Sequence, residues 1–334
     1  TTIYVNTTGW WRPGAAFNES SNPIQDAINN ASAGDVIFVY NGTYYVSGGL
    51  AVDKTLTLRG EGADNVTLDF MGGKGLRIGV DADGSIVPAP GSVVDGFRVV
   101  NASTGIAVYE KAPNCIVRNN VVEGVPAPIT TFASNTTIKG NIFDGASEYI
   151  QFGKELEHIR FIDNVVSNST KTYASTKFYA ANSVIVNNTF INNVAGLGLY
   201  SDKATNITVA RNNLISSGAG IKLYNAPSGN KIYLNNFVNN TKNVVIGGSG
   251  TPINFWNSTE PIEYICPTDG KTYTGYLGNY WSDHPGGAED GCGIWATPYG
   301  IPPDSPIDYD YHPLMAPFEN YLGEAAEEKP DLLV

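Results

Sequence analysis

Glu148, Glu155, Glu157, His158 and Arg160 form the densest gathering of acid and base side chains in the chain. A placed carboxylate pair could do general acid and base work on a glycosidic bond, and a basic residue beside a bound calcium could abstract a proton. The remaining acids of the same region, Asp69, Asp95, Asp144 and Asp163, are scattered, and several stand where a turn favours Asp. There is no Gly-His-Gly run and no adjacent Asp-Asp pair, so a solvated charged turn accounts for the cluster and no residue is assigned a catalytic role. Further on, no Lys or Arg occurs between Lys271 and Lys329, while Asp283, Glu289, Asp290, Asp304, Asp308 and Asp310 fall inside that interval. Uncompensated carboxylates need water or a hard cation, which makes Asp283, Asp290, Asp308 and Asp310 candidate ligands for a structural calcium ion. No other cofactor is required. Cys266 and Cys292 bracket the aromatic stretch Tyr273, Tyr276, Tyr280 and Trp281. In an oxidising exterior, a disulfide between them would contribute about 3 kcal/mol. The aromatics then read as an end cap rather than as a sugar platform, and Cys115 as a buried free thiol.

What must position these groups is a long, acidic, Gly- and Asn-rich chain. Its 334 residues are 42% hydrophobic and 16% charged, with 37 Gly and 34 Asn. So much Asn and Gly argues against long helices and for many tight turns. Twenty basic against thirty-two acidic residues leave a net charge of −12, which excludes a phosphate backbone as partner. No apolar run is long enough to span a bilayer. The opening Thr1-Thr2-Ile3 is expected of a mature exported product whose signal peptide has been cleaved.

A repeat supplies the architecture. Asn120, Asn141, Asn164, Asn188, Asn212 and Asn235 are separated by 21, 23, 24, 24 and 23 positions. Three residues before each stand Val117, Ile138, Phe161, Ile185, Val209 and Ile232. Two residues after each stand Val122, Phe143, Val166, Phe190, Leu214 and Phe237. Apolar strand, polar turn and apolar strand at this period predict one coil of a right-handed parallel β-helix per repeat, with Asn amides bonding from coil to coil. The coils are expected over residues 46–252. Before them, residues 1–45 hold a first strand and a helix starting at Asn22 as N-cap, with Ile24, Ala27, Ile28 and Ala31 on one face to cover the open end. Residues 253–318 form an irregular aromatic-rich cap, and residues 319–334 an acidic tail. The fold class is therefore all-β, a single-stranded right-handed parallel β-helix.

Pro23-Ile24-Gln25-Asp26-Ala27-Ile28, Gly34 to Val39 and Gly42-Thr43-Tyr44 resemble the opening of pectin-lyase-like β-helix proteins. Gly278-Asn279-Tyr280-Trp281-Ser282-Asp283, Thr297-Pro298-Tyr299 and His312-Pro313-Leu314-Met315 resemble the closing segment of NosD-like surface proteins, which are common in methanogenic archaea. The resemblance covers most of residues 1–318. It implies the β-helix fold and an extracellular or cell-surface location, and leaves activity open because the fold hosts lyases, hydrolases, copper accessory proteins and structural proteins. Copper handling calls for soft ligands. Two Met, three Cys and three His, none clustered, do not supply that set. Of the family's Asp- and Gly-rich closing loop, Gly287 to Ile294 keeps part, but Trp295-Ala296 stands where an acid is expected.

Twelve Asn-x-Ser/Thr sequons, at Asn6, Asn18, Asn30, Asn41, Asn65, Asn101, Asn135, Asn168, Asn187, Asn206, Asn239 and Asn257, make N-glycosylation an expectation for an exported chain. Together with two solenoid ends able to pair with a second copy, they suggest a structural cell-surface protein that self-assembles into a layer, sheath or filament. The terminal segments would make the contacts, the tail by strand addition. The alternative is a carbohydrate-active enzyme or sugar-binding module using the coil face, with surface glycans as partners.

Overall fold

The computed structural model describes residues 1–323. The end of the acidic tail, with Leu332-Leu333-Val334, lies outside the described residues. The chain resolves into two compact units, Thr1–Arg160 and Phe161–Val334.

In the first unit, three-strand rungs repeat from Val36–Val39, Gly42–Tyr45 and Leu50–Val52 to Thr137–Lys139, Ile142–Asp144 and Ile150–Phe152. The three-strand rungs thus start at Val36, upstream of residue 46, and Thr2–Asn6 adds one more parallel strand beside Val36–Val39. Strands stack in parallel register, Ile37 on Leu58, Val94 on Leu58, Val94 on Val117 and Val117 on Ile138, and these side chains are at most 1% exposed. Period-2 alternation turns every other residue into this column, and burial of each adds about 1.5–3 kcal/mol of transfer free energy.

The second unit repeats the pattern from Val165–Ser167 and Thr176–Phe178 to Lys231–Tyr233, Asn236–Val238 and Lys242–Gly247. Ile185, Val209 and Ile232 stack in one sheet, and Val166, Phe190, Leu214 and Phe237 in another. All twelve positions expected to face inward are fully buried. The chain is a right-handed parallel β-solenoid, the hand that parallel crossovers take.

The Asn repeat works differently from a simple turn. The residue before each Asn makes the bend, with positive φ at Asn119, Gly140, Asp163, Asn187, Arg211 and Leu234. The repeat Asn then turns inward and is at most 1% exposed. Its amide bridges to the next coil: Asn188 Nδ2 donates to Asn212 Oδ1 at 3.0 Å, and Asn212 Nδ2 to Asn235 Oδ1 at 2.9 Å. A buried amide is tolerable only with such partners.

Helix α1, Pro23–Asn30, closes the start of the first unit with Pro23, Ile24, Ala27 and Ile28 buried. Asn22 makes no side-chain cap; Ser20 Oγ instead accepts from the Asn22 N–H and donates to Asp26 Oδ2. Gln25 reaches the strand edge, its Nε2 donating to Ala51 O at 3.1 Å and its Oε1 accepting from Ala51 N–H at 2.8 Å. One side chain thereby occupies both backbone groups of Ala51.

At the end of the second unit, Tyr280–Trp281 adds a parallel strand to Asn236–Val238, and two hairpins follow irregular paths around it. The short 3-10 turn Phe318–Tyr321 packs into the same cluster as Tyr264, Cys266, Leu277, Ile294 and Leu314. Residues 319–321 therefore belong to the cap rather than to a free tail.

Candidate functional site

The cap is built on a buried carboxylate. Asp310 is fully buried and accepts four N–H groups: Asn279 N at 2.7 Å, Trp281 Nε1 at 2.9 Å, His312 N at 3.0 Å and Asn279 Nδ2 at 3.4 Å. Burial pushes Asp310 up to about 7, against those hydrogen bonds, which favour the charged form. Asn279 receives the Asn ladder at 2.9 Å from Asn235 Nδ2 and donates to Ile232 O and Trp256 O. Trp281 is sandwiched by Phe237 at 4.2 Å and Tyr299 at 4.1 Å, each pair adding about 0.5–1.5 kcal/mol. A Cβ on Gly278 would land on the Asp310 carboxylate, which explains the glycine. The Gly278-Asn279-Tyr280-Trp281 run is thus a terminator of the Asn ladder. Asn279 escaped the period because 44 residues separate it from Asn235.

The four acids expected as calcium ligands are placed as follows. Asp310 is consumed by backbone and indole donors. Asp283 accepts the Tyr299 hydroxyl and Asn243 Nδ2, Asp308 accepts its own neighbour's N–H, and Asp290 is exposed. The four do not converge. Among the described residues, one group of three or more potential ligands lies within reach of a common ion: Cys266, Asp269 and Cys292. Cys266 and Cys292 are joined in the expected disulfide, Cα atoms 5.4 Å apart, which withdraws both thiolates. Cys115 is the buried free thiol, pushed up to about 11 by burial.

The charged stretch behaves as a surface turn. Glu148, Glu155, Glu157 and His158 are exposed, His158 lies 3.8 Å from Glu157, and Glu155 and His158 carry positive φ. On the coil, Asp69 accepts Met71 N and Asn101 Nδ2, and Asp95 accepts Arg118 and Asn119. Tyr264, Trp281 and Tyr321 pack inside the cap, with Tyr273 and Tyr276 partly exposed at its rim.

The sequon asparagines occupy the opposite environment from the ladder. Asn18, Asn30, Asn41, Asn65, Asn101, Asn135, Asn168, Asn206 and Asn239 are exposed, and Asn6, Asn187 and Asn257 are half-buried. A feature invisible in the sequence is the open sheet edge at Lys242–Gly247. It pairs with Ala219–Tyr224 on one side, and among the described residues no strand pairs on the other. A cavity of about 310 Å³ runs beside it, walled by Asp283, Pro302, Pro303, Asp304 and Ser305.

A family profile described as "Periplasmic copper-binding protein (NosD)" matches residues 28–286. No curated relative matches. Among solved structures, the chain is similar to the mannuronan C-5 epimerase AlgE4 A-module of Azotobacter vinelandii, at 15% identity over 67% of this chain and 76% of that one, with a TM-score of 0.45. It is also similar to an alginate lyase from Paenibacillus sp. str. FPU-7, at 13% identity over 76% and 97%, with a TM-score of 0.44. A family 6 polysaccharide lyase from Pseudopedobacter saltans matches at 14% identity over 83% and 82%, with a TM-score of 0.36. Among the described residues, the copper in the family description finds no matching set of soft ligands. Met71 is 65% exposed, His284 stacks on Trp295, His312 stacks on Tyr276, and Cys266 and Cys292 are oxidised. With its matching span, its coil and its ladder-ending motif, the chain belongs to the NosD family of β-helix proteins.

Proposed function

We propose that this chain is a structural protein of the cell surface, N-glycosylated on its turns and self-associating into a layer, sheath or filament. The observation that carries this reading is the division of its asparagines. Every sequon Asn is at least partly open to water, whereas the repeat Asn are sealed. Glycans at those turns would coat the outside without touching the core. Self-association is supported by the Lys242–Gly247 edge, whose unpaired backbone groups are a template for an added strand. The family description and the β-helix fold agree with an exported location. Negative-stain microscopy and intact mass measurement of native material test it. Ordered filaments or sheets and a mass above that of the polypeptide are expected. Monodisperse particles with the bare polypeptide mass would overturn it. Ile246→Pro, which removes an N–H directed to the open edge, should abolish assembly while leaving the circular dichroism spectrum unchanged.

A further inference from the structure

We infer that the outward face of the first sheet in the N-terminal unit binds a neutral oligosaccharide chain. Register places one row of outward side chains across six neighbouring strands: Trp11, Tyr4, Phe38, Arg59, Asp95 and Arg118. Neighbouring strands are about 4.8 Å apart, close to the advance of one sugar unit in an extended glycan, so a linear chain can follow the row ring by ring. The first half of the row is aromatic. Tyr4 and Trp11 stack at 5.7 Å, and Tyr40 joins with its ring 3° from the plane of Trp11 at 5.8 Å. All of these rings are half-exposed on a sheet whose other face, Ile3, Val5, Ile37 and Val39, already carries the core. Flat aromatic faces take the C–H faces of sugars, and an exposed cluster of this kind marks a binding surface.

The second half is planar and polar. A groove of about 320 Å³ is lined by Phe38, Arg59, Glu61, Asp95 and Asn119 over a floor that includes Gly60 and Gly96. Asp95 is fixed by Arg118 at 3.0 Å and Asn119 at 2.9 Å, so its orientation is set before any ligand arrives. Arg59 is exposed and makes no hydrogen bond or ion pair among the described residues, leaving five donors facing the groove. Within the groove Arg59 stands against Glu61, Asp95 is paired to Arg118 beside it, and the chain as a whole carries −12, so the groove suits hydroxyls rather than uronate carboxylates. Cross-strand aromatic packing alone would account for the rings. It would not account for an unpaired guanidinium over an open, glycine-floored groove in line with them. The inference is independent of glycosylation and of assembly.

Calorimetry on the full chain, with cellohexaose, mannohexaose and xylohexaose as neutral probes and hexamannuronate as the acidic one, tests it. Saturable binding of at least one neutral probe is expected. Arg59→Ala and Phe38→Ala should each weaken it tenfold or more, and Tyr173→Ala, in the other unit, should leave it unchanged. Arg59→Ala keeps the test decisive if Phe38→Ala fails to fold, because Arg59 touches no core. No binding of any neutral probe, binding indifferent to Arg59→Ala, a preference for hexamannuronate, or a dimer that buries this face and is broken by Arg59→Ala would each overturn it.

Discussion

Two kinds of asparagine, alike in the sequence, have opposite energetics. Asn212 donates from Nδ2 to Asn235 Oδ1, Ile185 O and Ala210 O, and its Oδ1 accepts from Asn188. Asn212→Ala removes all of these inside the core and should cost about 3 kcal/mol, read as a lower urea midpoint. Asn65→Gln, at an exposed sequon, should change the stability of unglycosylated protein by less than about 0.5 kcal/mol in the same assay. Asp310 gives a pH signature. Its folded pKa, about 7, lies above the value near 3.8 of a free carboxyl, so its contribution is complete below pH 4 and is lost as pH rises to about 7. His312 is pushed down by burial and works in the opposite sense. Asp310→Asn cannot titrate. The difference between wild-type and Asp310→Asn melting temperatures should therefore shrink from pH 4 to pH 7 and level off above it; a constant difference would show that the carboxylate is charged throughout.

At the scale of elements, the coil was legible because stacking forces every rung to repeat the same inward positions, and the repeat Asn lies at the same station in each. Helix α1 was legible from its apolar face, but its start was not: Asn22 makes no side-chain cap, and Ser20 ties the Asn22 N–H to the Asp26 carboxylate instead. The cap resisted reading because the hairpin Ile262–Ile265 with Thr272–Gly275 interrupts the period before Asn279 resumes it. The row from Trp11 to Arg118 was hidden for another reason: its members come from six strands, and only the pairing register aligns them. Edge closure can be tested directly. Gln25→Ala leaves the N–H and C=O of buried Ala51 without partners and should cost about 2 kcal/mol in thermal unfolding, with Gln25→Glu recovering only part because it accepts from Ala51 N–H but lacks a donor for Ala51 O. Reducing the Cys266–Cys292 bridge, which spans 26 residues, should cost about 3 kcal/mol.

For the molecule as a whole, charge is the property the structure leaves most exposed. Thirty-two acids against twenty bases carry a net −12, and the interval from Lys271 to Lys329 has no Lys or Arg to offset its carboxylates. The structure disposes of these charges separately: Asp310 goes into the cap, Asp283 onto Tyr299 and Asn243, and Asp290 and Asp304 into water. Dispersed like charges repel over distances that salt shortens to about 10 Å at 0.1 M, and this screening does not distinguish one cation from another. A shared cation site would behave differently, since divalent binding to the folded state alone raises stability by mass action. Raising sodium chloride from 10 mM to about 0.3 M should therefore increase the melting temperature by a few degrees. Calcium chloride at matched ionic strength should do no more, and chelator should change nothing. A calcium-specific rise, lost with Asp290→Asn or Asp308→Asn, would mean that the acidic residues of the cap draw together around an ion in solution.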